Sequence, residues 1–258
     1  MNRHELATLR RARRRENVGG IISNEIILYE LAQFLGTAFP SRGEAVLDLG
    51  AGTSPYAPLY RPYFDRSVSV DVEYSIHDTT NIDVTAPADE LPFDPASFDC
   101  VICTEVLEHC PDPWAAAAEL ARVLKPGGWA FLTTPFLRPL HEGPHDYHRF
   151  TPWGLAELAR RSGLEIRTIL PRGDYTAVTL MTLLLPISKL WQHLPRVAGF
   201  DLGRVASPFV WLSIVVPQRL YVAAWRVLRH RPDRPLRKIY DKLTYYTLGY
   251  ITVAQLPR

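Results

Sequence analysis

The spacing of apolar and polar positions divides the chain into two patterns. Short β-type runs at 45–49, 67–72, 100–104, 129–133 and 164–170 alternate with segments of helical spacing. That alternation predicts an α/β fold with a doubly wound, mostly parallel sheet buried between two helical layers. Ahead of the sheet, 25–35 places Ile27, Leu31, Phe34 and Leu35 on one helical face. From 176 to 247 the alternation stops, and stretches rich in Leu, Val and Trp are interrupted by Pro186, Pro195, Pro208 and Pro217. This segment reads as a helical insertion before a last strand at 250–254. The expected organisation is a basic arm and helix at 1–42, a core at 43–175, the insertion at 176–247 and the final strand of the core at 248–258.

Local chemistry punctuates the helices. Asp112-Pro113 and Thr151-Pro152 each offer a capping oxygen followed by proline at the first helical position, and Pro126-Gly127 and Gly163 are the expected stops. With 47% hydrophobic and 22% charged residues, the chain has no composition for disorder over most of its length. Its charge is uneven: residues 1–175 carry 17 Lys/Arg against 24 Asp/Glu, a balance of −7, while 176–247 carry 11 against 3, a balance of +8. The two parts therefore face different environments. Three cysteines, Cys100, Cys103 and Cys110, are too few and too close for a disulfide framework. In a strand, Cys100 and Cys103 point to opposite faces, so buried thiols are expected rather than a metal half-site. The Arg-rich start lacks the apolar stretch of a secretory leader, so the expected location is the cytoplasm.

The stretch 46–53, Val-Leu-Asp-Leu-Gly-Ala-Gly-Thr, is a buried-type strand ending in an acid and a glycine turn. Gly50 and Gly52 allow a tight bend and a close approach of backbone to ligand. Position 55 is Pro, which departs from the dinucleotide fingerprint. Twenty-one residues after Gly50, Asp71 closes the next strand, where a carboxylate can accept from ribose hydroxyls.

With 68–73, Asp83-Val84, Leu91-Pro92-Phe93, Ser97-Phe98-Asp99, 104–109 and 124–128 following in order, the chain resembles the class I S-adenosylmethionine-dependent methyltransferases, particularly those acting on small molecules and lipids. The resemblance covers roughly 43–171 and the last strand, and implies a Rossmann-like fold with S-adenosyl-L-methionine as cofactor. It places Asp48, Gly50 and Gly52 around the methionine moiety, Asp71 at the ribose, Asp83 at the adenine amino group, and Thr104 and Glu105 near the sulfonium. Ser54 stands where the family often has a third glycine.

His141-Glu142-Gly143-Pro144-His145 matches the zinc-protease string H-E-x-x-H, but Gly143-Pro144 forbids the helix that string requires, so no metal is expected. The segment 135–151 reads instead as a loop at the carboxyl edge of the sheet. His109, His141, His145 and His148 are the candidates for a general base, needed only if the acceptor loses a proton. Uncharged stretches at 176–188 and 205–218 fall short of the ~20 residues of a simple bilayer crossing. Their Arg and Trp neighbours, Trp191, Trp211 and Trp225 among them, suit either a lid over the acceptor pocket or contact with anionic lipid at the inner face of the membrane. The expected partner is a small or lipid-like methyl acceptor. A nucleic-acid acceptor ranks below it because the basic region is also strongly apolar, and a cofactor-binding scaffold without turnover is the third reading.

Overall fold

The strand β1 (Gly43–Leu49) is buried from Ala45 to its end, as a parallel strand covered on both faces must be. Leu47 is fully buried, a contribution of about 1.5–3 kcal/mol for such a side chain. The structure, a computed structural model, describes residues 21–80, 82–193, 212, 215–229 and 246–258. The basic arm at 1–20, together with Phe209 and Trp211, lies outside the described residues.

After helix α1 (Ile21–Ala38) and β1 come a short helix α2 (Ala57–Tyr60), β2 (Phe64–Asp71), β3 (Val84–Thr85) and β4 (Phe98–Thr104). Then follow α3 (Pro113–Val123), β5 (Leu124–Pro135), α4 (Pro152–Ser162), β6 (Glu165–Pro171), α5 (Tyr175–His193), α6 (Val216–Arg229) and β7 (Gly249–Gln255). The seven strands form one sheet in the order β3-β2-β1-β4-β5-β7-β6. β1 pairs in parallel with β2 and β4, and β5 with β4, whereas β7 runs antiparallel to β5. Strand order thus reverses between β1 and β4, and open α/β sheets bind ligands at the carboxyl ends flanking such a reversal.

Ile27, Leu31, Phe34 and Leu35 are all buried on α1, which is longer than the periodicity at 25–35 indicated. The Asp112 carboxylate accepts from Trp114 N and Ala115 N at the start of α3. The Thr151 hydroxyl accepts from Gly154 N at the start of α4, which ends at Gly163 with φ +79°. One expected stop was misplaced. Pro126-Gly127 does not end α3, because Leu124 is already extended and pairs with Phe98, and Gly127 N donates to Leu256 O at 2.9 Å. The turn lies inside β5.

Cys100 and Cys103 are free and buried, and only Cys103 joins the core cluster with Val101, Leu47 and Leu132. Contacts divide the described residues into two units, one of 28–170 with 249–258, the other of 21–27, 171–193, 215–229 and 246–248. In the second unit Asp174 caps α5 through Thr176 N and Ala177 N, and Arg226 pairs with Glu25 at 2.8 Å. Trp225 is buried there, which favours the packed reading of its two, because it shares the inward face of α6 with Gln218 and Val222. No described helix is long and apolar enough to cross a membrane.

Candidate active site

The turn after β1 is built from left-handed residues: Gly50 at φ +65°, Gly52 at +53° and Ser54 at +51°. Ala51 N donates to Val70 O at 2.9 Å and ties the turn to β2. Gly52 N then donates to Asp71 Oδ2 at 2.6 Å, and Val72 N donates to Asp71 Oδ1 at 2.7 Å. A carboxylate has about four acceptor directions, so two remain on this buried group. That capacity fits two adjacent hydroxyls. A Cβ at Gly52 would meet the His77 ring at 3.3 Å, whereas one at Gly50 would lie 2.2 Å from Val106 Cγ2. The loop after β4 therefore requires glycine at position 50.

Asp48 is buried in β1, and the Tyr60 hydroxyl donates to its Oδ2 at 2.8 Å. Burial pushes its carboxyl up to about 7, with the bond from Tyr60 opposing and Asp71 adding to the rise. Asp83 stands apart from the edge. Its Oδ2 accepts from Ser69 N and Ser69 Oγ, and it sits level with Ser69, since Val84 pairs with Val70 and Thr85 with Asp71.

At the end of β4, Thr104 is half-buried and Glu105 takes φ +57°. Glu105 N donates to Thr133 O, while its carboxylate accepts from the Thr133 hydroxyl at 3.0 Å and from Arg138 at 2.9 Å. Glu105 is thus turned to β5 and the loop beyond it. A 3-10 turn, Leu107–His109, then carries Glu108 into full burial. Its carbonyl accepts from Tyr147 N and His148 N, which anchors the loop after β5.

Of the four candidate histidines, the structure brings two together. His109 and His141 have ring centroids 5.0 Å apart. His109 Nδ1 lies 2.7 Å from His145 O, so Nδ1 must carry the proton and Nε2 the lone pair of the neutral ring. That Nε2 lies 3.8 Å from Glu108 Oε1 and 3.9 Å from Glu142 Oε2, and His141 Nε2 lies 4.0 Å from Glu108 Oε1. Burial, and then Arg138, hold His141 below the usual imidazole range. Asp146 accepts from His141 N at 3.0 Å and from Arg149, whose guanidinium holds its carboxyl far below the usual range. His145 turns instead to Tyr74 and Tyr147, and His148 to Pro111 O and Trp114. Residues 141–150 contain no helix, as Gly143-Pro144 dictates.

Sequence reasoning missed Glu108, Glu142 and His77, the last paired with Glu142 at 3.4 Å. Within Glu105-Val-Leu-Glu108 nothing local marks Glu108 for burial.

Residues 47–132 match a family described as a methyltransferase domain. A ubiquinone biosynthesis O-methyltransferase of Thiobacillus denitrificans is 30% identical over 161 residues, 52% of this chain and 69% of that protein. One of Pseudomonas aeruginosa is 31% identical over 53% of this chain and 62% of its own length. Among solved structures, the cyclase SpnF superposes with a TM-score of 0.53 at 19% identity, covering 88% of this chain and 81% of its own, a likeness of fold alone.

Proposed function

The chain belongs to the class I S-adenosylmethionine-dependent methyltransferases, and on that premise we propose that it methylates a hydroxyl oxygen of a small or lipid-like acceptor. The observation that carries the reading is the buried Asp71 carboxylate, held by Gly52 N–H and Val72 N–H at the strand reversal with two acceptor directions left for a ribose diol. The choice of oxygen is supported by the likeness to O-methyltransferases. S-adenosylmethionine supplies a methyl group on a sulfonium, open to in-line attack by the acceptor. Asp71 and the turn at Gly52 would hold its nucleoside and amino-acid parts, and Thr104 at the end of β4 would line the reacting end.

A hydroxyl acceptor must lose its proton. Nε2 of His109 is the nitrogen able to take it, because Nδ1 is committed to the His145 carbonyl. Positioning of the two reactants away from water supplies most of the rate.

Membrane contact belongs to the same reading of a lipid-like acceptor. On α6, Leu220, Ala223, Ala224 and Val227 are exposed along one face beside exposed Arg219. Apolar residues and arginine on one outward face suit an anionic lipid surface.

Calorimetry with S-adenosylmethionine, followed by detection of S-adenosylhomocysteine with phenolic and polyprenyl-phenol acceptors, tests the enzymatic reading. Cofactor binding with turnover of a hydroxylated acceptor supports it; binding without turnover of any acceptor would leave a scaffold in its place. Sedimentation with anionic vesicles at low salt tests the membrane contact, and recovery in the supernatant refutes it.

A further inference from the structure

We propose that two loops, 74–77 after β2 and 141–147 after β5, form a strap that closes over the cofactor cleft, with His77 and Glu142 as its latch. In the sheet, β2 and β5 are separated by β1 and β4. To meet, loops from these two strands must reach across the carboxyl ends of the pair between them, where strand order reverses and ligands bind. They meet twice. His77 Nε2 lies 3.4 Å from Glu142 Oε1, and the rings of Tyr74 and His145 stand 5.0 Å apart at 36°. The inference rests on the reading of that cleft as the S-adenosylmethionine site.

The inner side of the strap is seated on working parts of the site. The His77 ring packs on the turn after β1, close enough that a Cβ at Gly52 would lie 3.3 Å from it. Gly52 N–H is one of the two donors that hold Asp71, so His77 stands over the approach to that carboxylate. On the other loop, the His145 carbonyl accepts from His109 Nδ1 at 2.7 Å, so a closed strap also fixes the proposed base. The latch carries charge: His77 first, then His109 and His141, hold the Glu142 carboxyl below the usual carboxylate range.

The strap is also built to open. Tyr74 and Ile76 are 60% and 71% exposed and His77 is half-exposed, so little apolar burial holds 74–77 down. Glu142 takes φ +54°, a left-handed conformation that few residues other than glycine adopt, and opening the latch would release that strain. A partly exposed ion pair and one aromatic contact are each weak enough to break and reform. Entry and release of the cofactor then share one gate, and methyl transfer waits for it to shut.

Association and release of S-adenosylmethionine and S-adenosylhomocysteine are measured on the full chain by surface plasmon resonance. His77→Ala, Glu142→Ala and Tyr74→Ala should each raise both rates about two- to tenfold, so that Kd moves less than either rate. Joining His77→Ala to Glu142→Ala should add nothing beyond the larger single effect, since both remove one contact, whereas adding Tyr74→Ala to either should multiply the effects. Substitutions that merely damaged the pocket would speed release and slow association; that result, or rates equal to those of the parent, would overturn the strap. Amide exchange in the ligand-free protein gives a second reading: His77→Ala should speed exchange at 141–147, on the opposite loop, and unchanged exchange there would overturn the strap as well. A parent that binds neither ligand would defeat the reading of the cleft itself before any variant is compared, and the strap with it.

Discussion

Replacing Gly50 by alanine separates two demands that the sequence merges. A left-handed alanine costs about 1–2 kcal/mol in conformational strain at the observed φ of +65°. The new Cβ would also lie 2.2 Å from Val106 Cγ2, an overlap that must push the loop of Val106 outward at about 1–3 kcal/mol. Gly50→Ala should therefore destabilise its unit by about 2–5 kcal/mol. Val106→Ala removes both γ carbons and leaves only its Cβ, 3.2 Å away, so the double variant should recover the steric part and keep the conformational part. The expected coupling is about 1–3 kcal/mol. Amide hydrogen exchange of β1 and β4, read by mass spectrometry, reports the opening of this unit separately from the other. Additivity of the two substitutions within about 0.5 kcal/mol would refute the contact. A loss of cofactor binding on changing Gly50 that Val106→Ala restores would accordingly report a displaced Val106–His109 segment.

Asp71→Asn can satisfy only one of the two N–H donors now held by the carboxylate, because its amide nitrogen must face the other. Loss of one charge-assisted bond should cost about 1.5–3 kcal/mol and lower S-adenosylmethionine affinity roughly ten- to a hundredfold, read by thermal melting and calorimetry; unchanged affinity would reject the ribose assignment. Asp48, pushed up to about 7 when folded from about 3.9 unfolded, binds more protons in the native state, so its contribution is whole below about pH 4 and falls as pH rises toward 7. Asp48→Asn should remove that decline, by up to about 4 kcal/mol, in the difference between variant and parent stability at pH 8 and pH 4; parallel profiles would refute it. Burial raises the thiols of Cys100 and Cys103 and brings Cys110 to about 12, so alkylation at pH 8 should be negligible until denaturant is added.

Most of the sheet was legible because β periodicity and helix caps act within a few residues. Asp112, Thr151 and Gly163 hold the places their chemistry indicates. The glycine turn was legible too, although the contact of Gly50 with Val106 was not, since Val106 reaches it only once β1 and β4 are neighbours. The pairing of His109 with His141 depends on adjacent β4 and β5 presenting their loops together, which no local pattern contains. Glu108 illustrates the same limit: its burial follows from the loop of Tyr147 and His148 folding onto its carbonyl. Motif order alone singled out Asp83, and its hydrogen bonds to Ser69 become visible only once β2 and β3 are in register. For Trp225 the sequence left both a buried and a lipid-facing place open, because aromatic content alone does not say which side of a helix faces inward.

The position of β7 bears on how the protein emerges from the ribosome. β6 is synthesised before β7, yet β7 lies between it and β5, so β6 has no neighbour to join until residues 172–248 have been made. A nascent chain stopped at 248 would already hold β1 to β5 and the Gly52–Asp71 clamp, with β5 presenting an open edge. Closing that edge means bringing distant segments together across a long loop, a slow step with its own entropic cost. The binding half of the protein can thus be assembled while the sheet is still unfinished, and the last strand acts as the latch that seals its exposed side.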